Sequence, residues 1–162
     1  MDKQQIYDYL KREQIPHEIT EHAAVYSMAE LSGIHVSHPD SYAKNLFVRD
    51  DKKQNYYVIT VKGDKRVDLK KFRQAGLTRP LSFASEGDLM EILGVRPGSV
   101  TPLGLLNDQE SKVKLFIDRD FFDAPGPIGV HPNDNTATVW IKPEDLVRII
   151  EKHGNPVQIV SI

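Results

Sequence analysis

Strand-like and helical segments follow one another irregularly along this chain, which limits the folds open to it. Two runs rich in β-branched and aromatic residues, at 43–50 and 56–61, flank the polar segment D-D-K-K-Q-N and predict a β-hairpin. Further strand-like runs occur at 18–20, 80–83, 113–118, 128–135, 136–141 and 157–162. Because there is no regular β–α alternation, we expect an α+β fold with a mixed, mostly antiparallel, partly barrel-like sheet flanked by helices.

Start and stop residues frame the predicted helices. The spacing of Ile6, Tyr9 and Leu10 predicts a helix over 2–14, which Pro16 ends. Capping residues, an N-terminal proline and terminal glycines predict further helices at 27–33, 68–74, 85–94 and 143–153.

Length and composition indicate one cytoplasmic domain. A chain of 162 residues buries roughly 70% of its unfolded surface in one core, so we expect 1–162 to be a single domain. The absence of cysteine excludes disulfides, thiolate zinc sites and cysteine nucleophiles, and it is compatible with a reducing cytoplasm. No stretch resembles a signal peptide or approaches the roughly 18 apolar residues of a membrane span, so no membrane association is expected.

The charge distribution restricts how the chain can bind nucleic acid. A formal net charge of −2 argues against binding driven mainly by counterion release. The richest basic segment, 62–79, predicts local phosphate contacts by Lys65, Arg66, Lys70 and Lys71. A solvated helix face explains the same charges, and this alternative stays open.

Residues 94–104, G-V-R-P-G-S-V-T-P-L-G, combine three glycines with two prolines. Glycine is flexible and proline lacks an N–H, so this backbone is predicted to form neither a helix nor a regular strand. We interpret it as a rigid loop whose peptide groups face a ligand. An ordinary turn is the alternative.

Known metal and nucleophile motifs are absent from the sequence. His17 and His22 are five residues apart, which is not the one-face helical spacing of H-E-x-x-H, and His35 and His38 lie in a loop-like stretch. There is no G-x-S-x-G elbow, Walker loop or dinucleotide fingerprint. We therefore predict no metal and no cofactor.

Three blocks, in order, resemble a known family. They are A-K-N-L-F at 43–47, G-V-R-P-G-S-V-T-P-L-G at 94–104 and G-V-H-P-N-D-N-T-A-T-V at 129–139, and they are similar to blocks of the YbaK/ProX aminoacyl-tRNA editing domains. The ordered triple is specific, and the resemblance spans nearly the whole chain. Lys44 followed by Asn45, with G-x-H-P-x-x-N, looks more like the freestanding ProX type, which deacylates alanyl-tRNA(Pro) in trans, than like the cysteine-directed YbaK type.

The resemblance implies an ester-hydrolysing site that needs no covalent intermediate. Main-chain amides in the loop would face the scissile carbonyl, with Gly98, Ser99 and Val100 as donors. Thr101 and Pro102 would complete this substrate-binding loop, where the proline stiffens the backbone but cannot donate.

The other two blocks supply the implied side-chain contacts. Lys44 would meet a phosphate or the ribose of the terminal adenosine, and Asn45 the substrate amine or a ribose hydroxyl. His131 would position the ribose or the ester, because the terminal 2′-hydroxyl can help to activate the water. Asn133 and Thr136 are predicted as neighbouring substrate contacts.

An editing site must admit a small amino acid and exclude proline by size, since one methylene is worth only about 1–3 kcal/mol of discrimination. Met28, Leu31 and Ile34 are candidates for the apolar wall that sets this size. Helical spacing is equally typical of plain core residues, which is the alternative.

The resemblance implies the aminoacylated end of tRNA as partner, with prolyl-tRNA synthetase as a further candidate. Sequence alone leaves open a deacylase of cysteinyl- or seryl-tRNA and a noncatalytic module that binds tRNA or a synthetase. A purely structural protein is disfavoured by the loop at 94–104, and the oligomeric state stays open.

Overall fold

The computed structural model describes residues 1–24, 41–63, 65–123 and 125–162. The helices in these ranges are α1 Lys3–Arg12, α2 Leu69–Gln74, α3 Glu86–Asp88, α4 Asp120–Asp123 and α5 Pro143–His153. The strands are β1 His17–Glu21, β2 Ala43–Asp50, β3 Tyr56–Lys62, β4 Leu81–Phe83, β5 Val113–Asp118, β6 Ile128–Val130, β7 Ala137–Ile141 and β8 Val157–Val160. The helix predicted at 27–33, with Met28, Leu31 and Ile34, lies outside the described residues.

The described strands form two sheets. The small sheet has the order β1-β7-β6 and is antiparallel. The large sheet has the order β4-β2-β3-β5-β8, in which β4, β2 and β3 pair antiparallel and β3, β5 and β8 pair parallel. The predicted α+β class and mostly antiparallel pairing are confirmed. In the described ranges the ladders form two sheets instead of the expected single, partly barrel-like one.

The large sheet is covered on both faces, which explains its apolar strands. Phe47 and Val58 face the main core, together with residues of α1, α5 and the small sheet. Val48 and Ile59 face a second cluster that includes Phe72 of α2. Successive side chains on β2 therefore enter different surroundings.

The capping residues predicted from the sequence are found at the starts of α2 and α3 and at the glycine that ends the turn after α3. Asp68 accepts from the amide of Lys70 and Ser85 from that of Asp88, as predicted. Gly94 adopts the left-handed conformation with φ 66° after a π-helical turn, Leu89–Leu93, that continues α3. No helix in the described parts of the chain has the length and apolar character needed to cross a bilayer.

The end of the glycine- and proline-rich segment departs from the prediction. Pro102–Asn107 forms a 3-10 helix, so the loop itself ends at Thr101. The Thr101 side chain caps this helix, and Pro102 at its first position has no N–H to leave unpaired. The proline that was expected to prevent a helix instead begins one.

Candidate active site

A single parallel bridge joins the first and third sequence blocks. Tyr42, just before β2, pairs with Gly129 of β6. Lys44 and His131 each lie two residues beyond this bridge, on segments that run in the same direction. The bridge therefore sets the beginning of β2 beside the chain that leaves β6.

Gly129 is required at this bridge. A Cβ atom at residue 129 would lie 2.5 Å from Cζ3 of Trp140, well inside contact distance. Trp140 is 2% exposed and stacks edge-on against Tyr42, with ring centroids 4.8 Å apart. The glycine in G-V-H-P thus leaves room for the ring of Trp140, its partner on β7, which packs against Tyr42.

A hydrogen bond joins the second and third blocks. The Thr101 hydroxyl donates to the His131 carbonyl oxygen at 2.6 Å, and it accepts from the Leu103 amide at 3.3 Å. Thr101 and Pro102 are both buried. The Thr101 hydroxyl therefore joins the loop to the third block, and the contact of Thr101 and Pro102 with the substrate stays a prediction.

The loop before Thr101 contains a tight turn. The Ser99 amide donates to the Arg96 carbonyl at 3.0 Å, Pro97 occupies the second position and Gly98 has φ 89°. These are the features of a type II turn, which needs a left-handed residue in the place of Gly98. The turn also corrects the prediction for Ser99, whose N–H is already used and cannot serve an oxyanion.

Two of the three predicted loop donors remain. Within the described residues, the N–H groups of Gly98 and Val100 donate to no other protein atom. Gly98 is exposed and Val100 is half-buried. These amides are available to a ligand at the surface of the loop.

His131 presents a neutral imidazole. Its Nδ1 lies 3.0 Å from the Ala137 carbonyl oxygen, and only a protonated nitrogen can pair with a carbonyl, so Nε2 carries the lone pair. Burial lowers the pKa of His131, the bond to Ala137 opposes this, and the charge of nearby His22 lowers it further. The net shift is downward, which leaves Nε2 as a hydrogen-bond acceptor at neutral pH.

His22 lies beside His131, and sequence reasoning did not predict this neighbour of the candidate site. Its ring lies edge-on to that of His131, with centroids 6.4 Å apart. Its Nε2 lies 2.9 Å from the Thr138 hydroxyl and its Nδ1 2.9 Å from the Ala23 carbonyl. The sequence suggested His22 only as a weak metal ligand beside His17, and the pairing of β1 with β7 is the signal that would have placed it here.

Lys44 and Asn45 point to opposite faces of β2, since adjacent strand residues alternate. Asn45 lies across from Thr60 on the main-core face, and its side-chain oxygen accepts from the Thr60 hydroxyl at 2.7 Å. This fixes the amide orientation so that the Asn45 NH₂ group is left to donate. Lys44 points to the face of the second core cluster, where its Nζ lies 3.4 Å from the Lys65 carbonyl oxygen.

Asn133 and Thr136 make contacts with the N-terminal region. The Asn133 side-chain nitrogen donates to the Met1 carbonyl at 2.9 Å, and the Thr136 hydroxyl accepts from Lys3 Nζ at 3.1 Å. Asp134 also accepts hydrogen bonds from both the amide and the hydroxyl of Thr136. These polar atoms connect the third block to Met1 and to α1, and the role of Asn133 and Thr136 as substrate contacts stays a prediction.

Of the four predicted tRNA contacts, Lys65 is bound by carboxylates, and the other three side chains are exposed at the surface. Lys65 bonds to Asp118 at 2.7 Å and to Asp120 at 2.5 Å, so its ammonium is not free for a phosphate. Arg66, Lys70 and Lys71 are exposed and form no ion pair within the described ranges. The tRNA-binding prediction now depends on these three.

A cleft of about 670 Å³ opens between β1, the region around α4 and the start of α5. Phe122, Trp140 and four prolines contribute to its walls, and none of the predicted site residues does. Among the described residues, no three His, Asp or Glu side chains are placed to hold a metal ion.

The chain is similar in sequence to known editing proteins. Residues 22–149 match the aminoacyl-tRNA editing domain. The chain is 34% identical over 160 residues to the prolyl-tRNA editing protein ProX of Acetoanaerobium sticklandii, which covers 99% of this chain and 97% of that protein. It is 34% identical over 142 residues to prolyl-tRNA synthetase associated domain-containing protein 1 of Mus musculus, which covers 85% of this chain and 83% of that protein.

The fold is also found among solved structures. A crystal structure of a candidate trans-editing enzyme for prolyl-tRNA synthetase superposes with a TM-score of 0.70 and 20% sequence identity. The alignment covers 98% of this chain and 94% of that one. At this identity the likeness concerns the fold.

Proposed function

The chain belongs to the aminoacyl-tRNA editing domain family, and on this premise we propose that it hydrolyses mischarged alanyl-tRNA(Pro) in trans. It is an aminoacyl-tRNA deacylase, a hydrolase of ester bonds that acts in translation, as the three sequence blocks predicted. The name of the A. sticklandii relative supports prolyl-tRNA as the tRNA. The name of the mouse relative supports prolyl-tRNA synthetase as a partner.

The observation that carries the proposal is the double connection among the three blocks. The Tyr42–Gly129 bridge sets Lys44 beside the segment that contains His131, and Thr101 bonds this segment to the Gly98–Val100 loop. These two contacts connect three blocks that lie far apart in sequence, and this connection supports a shared site.

The loop amides suit the chemistry of ester hydrolysis. When water attacks the carbonyl carbon, negative charge develops on the carbonyl oxygen, and fixed N–H donors stabilise that charge. Gly98 and Val100 carry such donors on a backbone that Pro97 and the 3-10 helix stiffen. The C–O bond to the ribose then breaks, the ribose hydroxyl leaves with a proton, and free alanine is released.

The side chains hold the substrate. A neutral His131 accepts a hydrogen bond through Nε2 from a ribose hydroxyl or from the attacking water. Asn45, with its oxygen held by Thr60, donates through its NH₂ group to the substrate. Lys44 supplies a positive charge for a phosphate of the terminal nucleotide. Met28, Leu31 and Ile34 stay the predicted walls that limit amino-acid size.

A panel of charged tRNAs tests this function. The purified protein is incubated with alanyl-, cysteinyl-, seryl- and prolyl-tRNA(Pro) and with alanyl-tRNA(Ala), and loss of the labelled amino acid is followed. We expect alanyl-tRNA(Pro) to be hydrolysed fastest and prolyl-tRNA(Pro) to be spared. Faster hydrolysis of the cysteinyl or seryl ester would replace the proposed specificity, and binding without hydrolysis would identify a noncatalytic module.

A further inference from the structure

Asp118 is a fully buried carboxylate at the end of β5, with 0% exposure. It accepts hydrogen bonds from Lys65 Nζ at 2.7 Å and from the amides of Lys62 at 3.1 Å and Asp120 at 3.0 Å. A buried charge is tolerated only when it is paired and hydrogen-bonded. Asp118 therefore ties the end of β3 and the loop after it to the end of β5.

Lys65 is held firmly by this arrangement. Besides Asp118, its Nζ bonds to Asp120 at 2.5 Å and to the main-chain oxygen of Ile162 at 3.3 Å. Burial acts to lower the pKa of Lys65, but the hydrogen bonds that its ammonium donates to the two carboxylates outweigh this effect, and the pKa is raised. The side chain stays charged and engaged, and so it anchors its own backbone.

The anchored backbone is what Lys44 contacts. Lys44 Nζ lies 3.4 Å from the Lys65 carbonyl oxygen, a long hydrogen bond to a neutral group. In the described residues Lys44 forms no bond to a carboxylate, so its charge is not cancelled. A lysine on a flexible four-carbon stem gains a preferred direction from such a contact and keeps its cation for a ligand.

We propose that the Asp118–Lys65 ion pair positions Lys44, by holding the Lys65 carbonyl under the Lys44 ammonium. This role rests on the proposed function of Lys44, and it gives Lys65 a task different from binding phosphate directly. Asp118 and Lys65 are positioning residues, and they touch no substrate.

Asp118→Asn separates the two roles of Lys65. The substitution keeps the shape of the side chain and removes the carboxylate that holds Lys65. If the pair positions Lys44, kcat for alanyl-tRNA(Pro) falls by about 10- to 100-fold, the range seen when a distant change displaces a reacting group. If Lys65 instead binds phosphate directly, releasing its ammonium from Asp118 should leave kcat unchanged and should leave KM for tRNA unchanged or lower it. That result would overturn the proposal.

The Lys65 side chain offers a conservative rescue. Lys65→Met removes the charge, and we expect the same loss of kcat as for Asp118→Asn. Lys65→Arg retains a cation that can reach both carboxylates, and we expect most of the activity to return. Equal losses in the Met and Arg variants would contradict positioning through the ion pair.

A second readout does not depend on turnover. Acetylation of Lys44 by acetic anhydride, measured by mass spectrometry against exposed Lys11 in tRNA-free protein, reports how firmly Lys44 is held. We expect it to rise by about three- to tenfold in Asp118→Asn and Lys65→Met, as for the loss of one ordinary hydrogen bond. An unchanged ratio in folded protein would refute the positioning role even if the wild type proves inactive on alanyl-tRNA(Pro).

Two further variants keep the test decisive. Asp120 is half-exposed, with 54% side-chain exposure, so Asp120→Asn removes one of the two carboxylates with little risk to the fold. We expect a smaller rise in Lys44 acetylation in the same direction. Asp51→Asn is the matched control, because it breaks the exposed Asp51–Arg79 pair beyond the other end of β2 and should change neither readout.

Discussion

Thr101 Oγ1 lies 2.6 Å from the carbonyl oxygen of His131, and this contact fixes the loop of the second block against the third. The bond is partly buried: Thr101 is 0% exposed and His131 is half-buried. The donor and the acceptor are 30 residues apart in sequence. The bond therefore fixes the position of the second block relative to the third.

Thr101→Val replaces the hydroxyl by a methyl group of similar size. The His131 carbonyl then loses its donor in a partly buried setting, which should lower the free energy of unfolding by about 1–3 kcal/mol. Deacylation should fall as well, because the loop loses its attachment. Thermal unfolding and single-turnover hydrolysis measure the two effects.

Thr78→Val is the matched control for this change, because the Thr78 hydroxyl is buried and has no hydrogen-bond partner among the described residues. The same substitution there should be neutral or stabilising. Equal destabilisation by Thr78→Val and Thr101→Val would show that the hydrogen bond to His131 does not contribute to the free energy of unfolding.

Gly98→Val tests the type II turn. With φ 89° at this position, a β-branched side chain is strained by about 1–2 kcal/mol. The backbone must move to relieve that strain, so hydrolysis should fall more than the melting temperature alone would explain. Gly87→Val is the control, since Gly87 lies in α3 without a positive φ and a Cβ there would meet only the Ser85 hydroxyl, at an ordinary contact distance of 3.7 Å. Unchanged rate and melting temperature in Gly98→Val would rule out a constrained turn.

The pH dependence of hydrolysis reports on His131. Its folded-state pKa is lowered from the ordinary value of 6.5 because burial disfavours the charged ring. Hydrolysis should therefore be constant above pH 6.5 and decline only as pH falls through this lowered pKa. A rate that already declines above pH 6.5 would show that the neutral ring is not what the reaction requires.

The same shift links pH to stability. Between the folded-state pKa and 6.5 the unfolded chain binds the additional proton, so stability falls as pH falls through this window and is fully restored above 6.5. His131→Asn removes this titration. The difference in unfolding free energy between wild type and variant, measured by urea denaturation, should shrink as the pH is lowered below 6.5 and stay constant above it.

Lys70 and Lys71 lie on α2, are exposed and form no ion pair within the described ranges. Replacing both by glutamine should raise KM for tRNA and leave kcat unchanged, since distant phosphate contacts contribute uniform binding. The salt dependence of binding should become shallower by about one unit for each phosphate that the variant no longer neutralises. Lys11→Gln with Lys52→Gln is the control for net charge, and equal effects in both double variants would argue against a specific phosphate site on α2.

Sequence reasoning succeeded where the determining chemistry is local. Asp68 and Ser85 cap helices, and Gly94 is left-handed, because each depends on neighbours within a few residues. The turn at Pro97–Gly98 was equally local, and applying turn rules there would have shown that the Ser99 amide is used.

The remaining features depend on contacts between distant parts of the chain. His22 enters the site only because β1 pairs with β7, and Thr101 turns inward only because the His131 carbonyl lies beneath it. The tie between Asn133 and Met1 spans 132 residues. No spacing rule predicts such long-range contacts, so the sequence alone could not reveal them.

Single-turnover hydrolysis of alanyl-tRNA(Pro) by wild type and by Lys44→Ala, with folding of both verified, tests the central claim most directly. We expect rapid hydrolysis by wild type and a loss of about 100-fold or more in the variant, because the proposed role of Lys44 is to hold the substrate in its reactive position. Equal rates in the two proteins, or a wild-type rate no faster than spontaneous hydrolysis, would contradict the account.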